Sequence, residues 1–371
     1  MRIAIKYGTT ETGNERLIDP AGAIHGHQAG PVLVRRLLNL FEPAILIGTE
    51  RQQVNGYEVL PLDEIDAENT VVINMDVIDS TEVWGVLHTT AAEPKVMNFV
   101  WWNASEEYHH LVNQALLGLS FALFPTFANS ERTASEVREI VDRWTIPQLA
   151  NRAELAWSKL GVHLGRVQPR REPTVPVVLY PAIYVHGRKR PWDFIDTVTA
   201  VAKRTPLKVE MRLHHKHLTS EPAMEMSTRQ WAWVGPLTST REGYWEALAG
   251  TTAFLATASE ESYGLGYVEA MVSGAIGIFP EREWVPQLLP EDYPFIYRNL
   301  DEAQEMLYRA VTDTEACRAE LDALVGGSFV DWVRENHDDT AFEAAMRDAV
   351  SEWFGWQRLE ALNEAGNESK H

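Results

Sequence analysis

One cysteine, Cys317, stands among 371 residues. No internal disulfide can form, and a cytoplasmic setting is expected. No apolar run approaches the roughly 18 residues that a bilayer-crossing helix needs, so no membrane span is expected. The first residues, MRIAIKYGTT, carry no signal-peptide pattern. No Cys and His spacing suggests zinc, and no repeat at solenoid periods is present. Positive charge is scarce: 33 Lys and Arg face 53 Asp and Glu, a net charge of −20. Such a surface repels nucleic acid and anionic membranes on average.

What remains is an ordinary globular balance, 45% apolar and 23% charged, in a chain long enough for two domains. The charge is uneven. From His163 to His217 there are eleven Lys and Arg against four Asp and Glu. A local basic region in an acidic protein suits a small anionic ligand, and solvated surface residues account for part of it.

The stretch from Ala253 to Phe279 carries the strongest pattern. Ala253–Ala256 is a short apolar run of the kind a buried strand gives. Small and polar residues follow, and Gly264-Leu265-Gly266 opens a segment with Val268, Met271 and Val272 at helical spacing. Gly274 stands where a C-terminal cap would, and Ile276–Phe279 reads as the next strand. The unit is strand, glycine turn, helix, strand, with a helix N-terminus able to take phosphate. Glu261 and Glu269 frame the turn, and a carboxylate accepts both hydrogen bonds of a vicinal sugar diol. The pattern predicts a ligand carrying phosphate and sugar together. A nicotinamide-dinucleotide turn would need a third glycine where Glu269 stands; a solvated helix face is the other plain alternative for the two acids.

Glu261-Ser-Tyr-Gly-Leu-Gly-Tyr-Val-Glu269-Ala-Met-Val-Ser-Gly274 resembles the E-x7-E signature of retaining glycosyltransferases of the GT-B fold, glycosyltransferase family 4. Relatives commonly read E-G-F-G-L-P-x-x-E-A-M-A-x-G there. Both acids, Gly264, Leu265, Ala270, Met271 and Gly274 match; Ser262 and Gly266 replace a common Gly and Pro. Family members also carry Gly-Arg and then Lys after the first strand of the second domain, both on the donor's diphosphate. Gly187-Arg188 matches the first pair, and Arg190, with Lys189 second, stands for the Lys. Val234-Gly235-Pro236-Leu237 resembles the turn whose backbone contacts the nucleobase.

On the acceptor side, Ala29-Gly30 sits where the family usually has Gly-Gly. Trp101-Trp102-Asn103 ends a strand at the point where many relatives place a His. Asn103 departs from that pattern, and His109 and His110 are expected further along a helix. Trp102 could stack on an acceptor ring or pack in the core. His214, His215 and His217 form a tight group, with no carboxylate spaced to complete a metal site.

Alternation of strands and helices along the chain predicts parallel sheets. Strands are expected at 2–5, 44–48, 71–74, 96–101, 177–180, 207–213 and 295–297. Helices are expected from Pro31 to 40 and over 81–88, 106–117, 192–203, 244–249 and 300–311. Phe121–Phe124 leads into Asn129–Thr133 and a helix to Trp144, with Ser130 as its cap. The Gly- and Pro-rich segment 149–176 reads as the linker.

The resemblance thus implies an α/β protein of GT-B type: two Rossmann-like domains facing a cleft, with a C-terminal helix crossing back to the first. The domains expected are 1–170 for the acceptor, 175–337 for the nucleotide-sugar donor, a returning helix at 338–362 and a tail at 363–371. The implied activity is transfer of a sugar, a hexose by expectation, from a nucleotide-diphosphate sugar to an acceptor hydroxyl with retention. Glu261, Arg188 and Arg190 take the catalytic roles; Glu269, Gly264, Leu265, Gly266, Lys189, Pro236 and Leu237 bind the donor; Gly30, Trp102 and Asn103 face the acceptor. No cofactor or metal is required, and no Asp-x-Asp pair of the metal-carrying type occurs. The acceptor, a small molecule, a glycan or a modified base in DNA, is left open. The alternatives are a phage-type glycosyl transfer to a modified DNA base, another reaction on the same fold such as epimerisation or phosphorolysis, and a nucleotide-sugar-binding protein without catalysis.

Overall fold

The computed structural model describes residues 1–8, 17, 24, 29–54, 56–237 and 240–357. Contacts divide the chain into two compact units, Met1–Ser158 with the segment from Ala341, and Lys159–Thr340.

Among the described residues the first unit is built on eight strands: β1 (Arg2–Lys6), β2 (Ala44–Ile47), β3 (Gln52–Val54), β4 (Tyr57–Leu60), β5 (Thr70–Asn74), β6 (Lys95–Val100), β7 (Thr126–Ala128) and β8 (Leu155–Trp157). Their order is β3-β4-β2-β1-β5-β6-β7-β8. Every pairing is parallel except β3 with β4 at the edge. The central strands read as unbroken apolar runs because helices cover both faces of a parallel sheet; Val71, Val72 and Ile73 are fully buried. The helices are α1 (Ala29–Leu40), α2 (Ser80–Leu87), α3 (Ala104–Glu107), α4 (Leu111–Leu123), α5 (Glu131–Trp144) and α6 (Pro147–Ala150). Ser130 caps α5, its Oγ accepting from Thr133 N at 3.1 Å.

Among the described residues the second unit has six parallel strands: β9 (Val177–Tyr180), β10 (Lys208–Leu213), β11 (Ala232–Pro236), β12 (Ala253–Leu255), β13 (Ile276–Pro280) and β14 (Ile296–Tyr297). Their order is β11-β10-β9-β12-β13-β14. The helices are α7 (Pro191–Ala202), α8 (Glu221–Ser227), α9 (Arg241–Ala249), α10 (Leu265–Val272), α11 (Leu300–Thr312), α12 (Thr314–Val325) and α13 (Phe329–His337). The last helix, α14 (Asp339–Phe354), belongs with the first unit from Ala341 on. There its Phe342 packs against Phe99 and Phe127, each at 5.7 Å between ring centroids.

Several expectations need correction. The helix expected over 106–117 is two helices, broken at Tyr108-His109-His110. Tyr108 leaves helical geometry, and its hydroxyl donates to Asp76 Oδ1 at 3.2 Å. His109 and His110 therefore lie at a break, with His110 capping α4. Phe121–Leu123 finish α4 rather than leading in as a separate segment. Val234–Pro236 is the end of β11, not a turn, and Leu237 N still donates to Leu213 O at 2.8 Å. The linker segment holds structure of its own: α6 begins before it, β8 extends the first sheet, and Val162 bridges to Asp338. The tail at 363–371, the end of the returning helix from 358 on, and most of residues 9–28 lie outside the described residues.

Candidate active site

In the second sheet the chain winds outward one way from β9 through β10 to β11, then returns to β12 beside β9 and continues the other way. Ligands of doubly wound sheets bind at the C-terminal ends of the strands where the order reverses. Here those ends carry the loop from Tyr180 to Pro191 and the loop from Ala256 to Gly264.

Three hydrogen bonds tie the two loops together. Ser259 N donates to Arg188 O at 2.9 Å, Ser259 Oγ to the same carbonyl at 3.3 Å, and Thr257 Oγ1 to Lys189 O at 2.7 Å. This brings Lys189 Nζ to 2.5 Å from Glu261 Oε1. Tyr267, in the first turn of α10, donates its hydroxyl to the same carboxylate oxygen at 2.7 Å. The ring of Tyr267 is itself held in a stack between Phe254 and Trp284, at 5.7 and 5.3 Å. Burial foremost, and the Glu261 charge after it, drive the Tyr267 pKa far up, so this group is a fixed donor. A carboxylate, an ammonium and a locked phenol thus converge where α10 begins.

The start of α10 is open to an anion. Gly264 caps it without a side-chain hydrogen bond, and its first turn holds no acid. Gly264 has φ +90°, and a Cβ there would come within 2.7 Å of the Tyr267 ring. A Cβ on Gly266 would sit 3.1 Å from Pro181 O, so the helix start lies close against the loop after β9. The N–H groups of a helix start and its dipole attract phosphate.

The other predicted residues divide clearly. Arg188 and Arg190 are exposed; Arg190 takes a left-handed backbone, φ +45°, and its guanidinium pairs with Asp193 at 2.7 Å. The Lys189 side chain, by contrast, meets Glu261. Pro236 and Leu237 lie at the end of β11. Glu269 is buried, 4% exposed. Arg241 Nη2 donates to its Oε1 at 2.5 Å and Tyr244 Oη to its Oε2 at 2.8 Å. Burial opposes the Arg241 charge, and the Glu269 carboxylate outweighs it, raising the Arg241 pKa. Arg241 and Tyr244 had no signal in the sequence beyond their place in a helix start.

In the first unit, a Cβ on Gly30 would collide with the Tyr7 ring, which explains a glycine there. Trp102 packs edge-on to Tyr108 at 5.4 Å and against the Val77–Leu117–Phe121 cluster. Asn103 Oδ1 accepts from Arg132 Nη1 at 2.7 Å, and its Nδ2 donates to Glu106 Oε2 at 3.2 Å. The strand order of this sheet reverses between β1 and β5. At their C-terminal ends Lys6 Nζ meets Asp79 Oδ2 at 2.6 Å, and Asp76 accepts from Tyr108. Burial foremost, then the Asp79 charge, raises the Asp76 pKa. This carboxyl is a site candidate that the sequence pattern did not disclose. Among the described residues no group of three or more His, Cys, Asp or Glu could hold a metal ion.

No protein-family model matches the chain, and no curated protein matches it. Solved structures do. A sucrose-phosphate synthase from Thermosynechococcus elongatus superposes with a TM-score of 0.69 at 12% identity, over 96% of this chain and 100% of that one. HepE from Anabaena, in complex with UDP and glucose, gives 0.68 at 11%, over 95% and 100%. A UDP-forming α,α-trehalose-phosphate synthase from Burkholderia xenovorans, in complex with glucose-6-phosphate, gives 0.65 at 10%, over 94% and 100%. At such identities the likeness is one of fold, and the chain has the two-sheet α/β architecture of the GT-B glycosyltransferases.

Proposed function

We propose that this chain is a glycosyltransferase that takes a hexosyl group from a nucleotide-diphosphate sugar bound in its second unit and passes it, with retention, to an acceptor hydroxyl. The observation that carries this is the Lys189–Glu261 pair set beside the bare start of α10, at the strand-order reversal of the second sheet. Support also comes from HepE, a protein of like fold that binds UDP and glucose.

A nucleotide diphosphate leaves with a charge near −2 to −3. One helix terminus supplies about half a charge, so cations are required beside it. Lys189 and Arg188, with the N–H groups of Leu265 and Gly266, would meet that charge. Lys189 would exchange part of its contact with Glu261 for a phosphate oxygen, freeing Glu261 to accept from the hydroxyls of the donor sugar. Glu269 uses two of about four lone-pair sites on Arg241 and Tyr244, and the ribose diol would take the others. In the transfer the bond from the anomeric carbon to the β-phosphate oxygen breaks, its electron pair leaving with the phosphate. The acceptor oxygen bonds to that carbon on the same face, and its proton passes to the departing phosphate. The catalytic contribution is then electrostatic stabilisation of the leaving group.

Thermal stability against UDP-, GDP-, ADP- and TDP-sugars, with and without Mg²⁺, tests this. One donor at 100 times its Kd adds about 2.7 kcal/mol of stability. That gain is expected without Mg²⁺ and is expected to disappear in Glu261→Gln and Lys189→Ala. If no nucleotide sugar raises the melting temperature, the proposal fails.

A further inference from the structure

The second unit holds a separate cavity of ≈ 390 Å³, away from the strand-order reversal. Its wall is formed by the segment 167–170, by the C-terminal end of α10 with the turn into β13, and by α12 and the start of α13. The volume falls in the range of roughly 300–1,000 Å³ typical of small-molecule sites. Val272, Ile276, Leu321 and Phe329 give it an apolar floor.

The charged part of that wall is unequal. Arg170, Arg318 and Arg334 line it, against one acid, Asp322. Asp322 Oδ1 is engaged by Phe329 N at 2.8 Å. Arg170 and Arg318 share a single carboxylate, Glu172, at 2.9 and 2.8 Å. The two guanidinium side chains are 22% and 23% exposed and the Glu172 side chain 53%, so the cations lie deeper than the acid that answers them. The remaining acids, Glu315 on Arg318 and Asp331 on Arg334, are 87% and 60% exposed and lie outside the wall; solvent-exposed partners such as these neutralise little. Burial is the largest influence on Arg170 and lowers its pKa; the hydrogen bond to Glu172 opposes it and the Arg318 charge adds to it, while Arg170 Nη1 also donates to Thr251 O.

We infer that this cavity binds a small amphipathic anion, its acidic head against Arg318, Arg170 and Arg334 and its apolar body against Leu321, Phe329 and Ile276. The head would supply negative charge at guanidinium groups whose present carboxylate partners, Glu172, Glu315 and Asp331, are all more than half exposed. The body would remove the apolar floor from water. The wall includes the end of α10, whose start is the candidate phosphate site. Gly274, at φ +86° in that wall, leaves room for the Arg170 side chain, which a Cβ would approach to 3.3 Å. A ligand here would therefore rest on the same helix that meets the donor.

The probe is 8-anilinonaphthalene-1-sulfonate, an aromatic anion, titrated into the full chain and followed by its fluorescence. Saturable binding is expected. Arg318→Gln and Arg334→Gln should each weaken it about tenfold, which a lost charge-assisted hydrogen bond accounts for. Val330→Trp, which fills the cavity from its half-buried rim, should abolish it, with far-UV circular dichroism confirming that each variant is folded. The neutral analogue N-phenyl-1-naphthylamine should bind at least tenfold more weakly. Absence of saturable binding overturns the inference. So does unchanged binding in all three variants, or equal binding of the neutral analogue.

Discussion

Arg241 and Glu269, 28 residues apart in sequence, form an ion pair at 2.5 Å inside the second unit, with side chains 18% and 5% exposed. Glu269 sits in α10 and Arg241 opens α9, so the pair fastens one helix to the other. Breaking a buried pair by removing one partner strands the other charge, at a cost of about 3–5 kcal/mol. Arg241→Ala should lose that much stability in urea unfolding. Arg241→Ala combined with Glu269→Gln should recover much of it, since no charge is then left alone. If Glu269 also receives the ribose, Arg241→Ala should raise the donor KM more than it lowers kcat. Equal stabilities for the single and double variants would show that the stranded Glu269 charge carries no penalty.

The three consecutive basic residues at 188–190 are expected to separate in kinetics. Lys189 meets Glu261, whereas Arg190 turns away on a left-handed backbone to Asp193. Lys189→Ala should reduce kcat/KM for the donor by about 2–4 kcal/mol, the range for a group that stabilises developing charge. Arg190→Ala should change it by under tenfold. Steady-state kinetics on the two variants checks this, and the reverse order would restore Arg190 as the diphosphate cation.

The strand, glycine turn and helix of 253–279 were legible because their signals are local. A strand, a glycine and a helix follow within 27 residues, and the left-handed Gly264 and Gly274 appear where the pattern put them. Ser130 was legible for the same reason, since a cap bonds three residues ahead. Which of Lys189 and Arg190 faces Glu261 was not legible. It depends on three hydrogen bonds from Ser259 and Thr257 that cross some 70 residues, and on a backbone φ of +45° that arginine seldom adopts. Arg241 and the Tyr108–Asp76 contact were hidden for a like reason, being tertiary pairings with no fixed spacing. The helix break at Tyr108 had no Gly or Pro to announce it.

Gly264 should tolerate no side chain. Its φ of +90° disfavours a Cβ, and that Cβ would press on the Tyr267 ring and on Leu288 at 2.7 and 3.1 Å. Gly326 is a control, left-handed at φ +67° with nothing within 4 Å. Gly326→Ala should cost only the backbone penalty of about 1–2 kcal/mol. Gly264→Ala should cost more and should also displace Tyr267 from Glu261. Urea midpoints give the first comparison and donor-induced thermal shift the second. Equal losses in the two variants would mean that the Tyr267 contact yields without strain.

His337 should make stability depend on mild acid. Its ring is buried, with Nε2 3.1 Å from Leu288 O and Nδ1 2.8 Å from Tyr263 Oη. A carbonyl can only accept, so Nε2 carries the proton and Nδ1 accepts from the tyrosine. Protonating Nδ1 would reverse that bond, making Tyr263 Oη its acceptor, and place a charge in the core. Burial foremost, with the Lys159 charge, lowers the His337 pKa to about 4 from an ordinary 6.5. The folded value is the lower one, so the unfolded chain takes up the proton first as pH falls. The stabilisation is complete above about pH 6.5 and is lost on descending toward pH 4, at about 1.4 kcal/mol per pH unit. Tyr263 lies two residues after Glu261, so the same acidification should loosen the candidate site's loop. Melting temperatures from pH 7 to pH 4 should fall more steeply for the wild type than for His337→Gln, in which nothing at this position titrates. Parallel curves would assign the acid sensitivity to other groups.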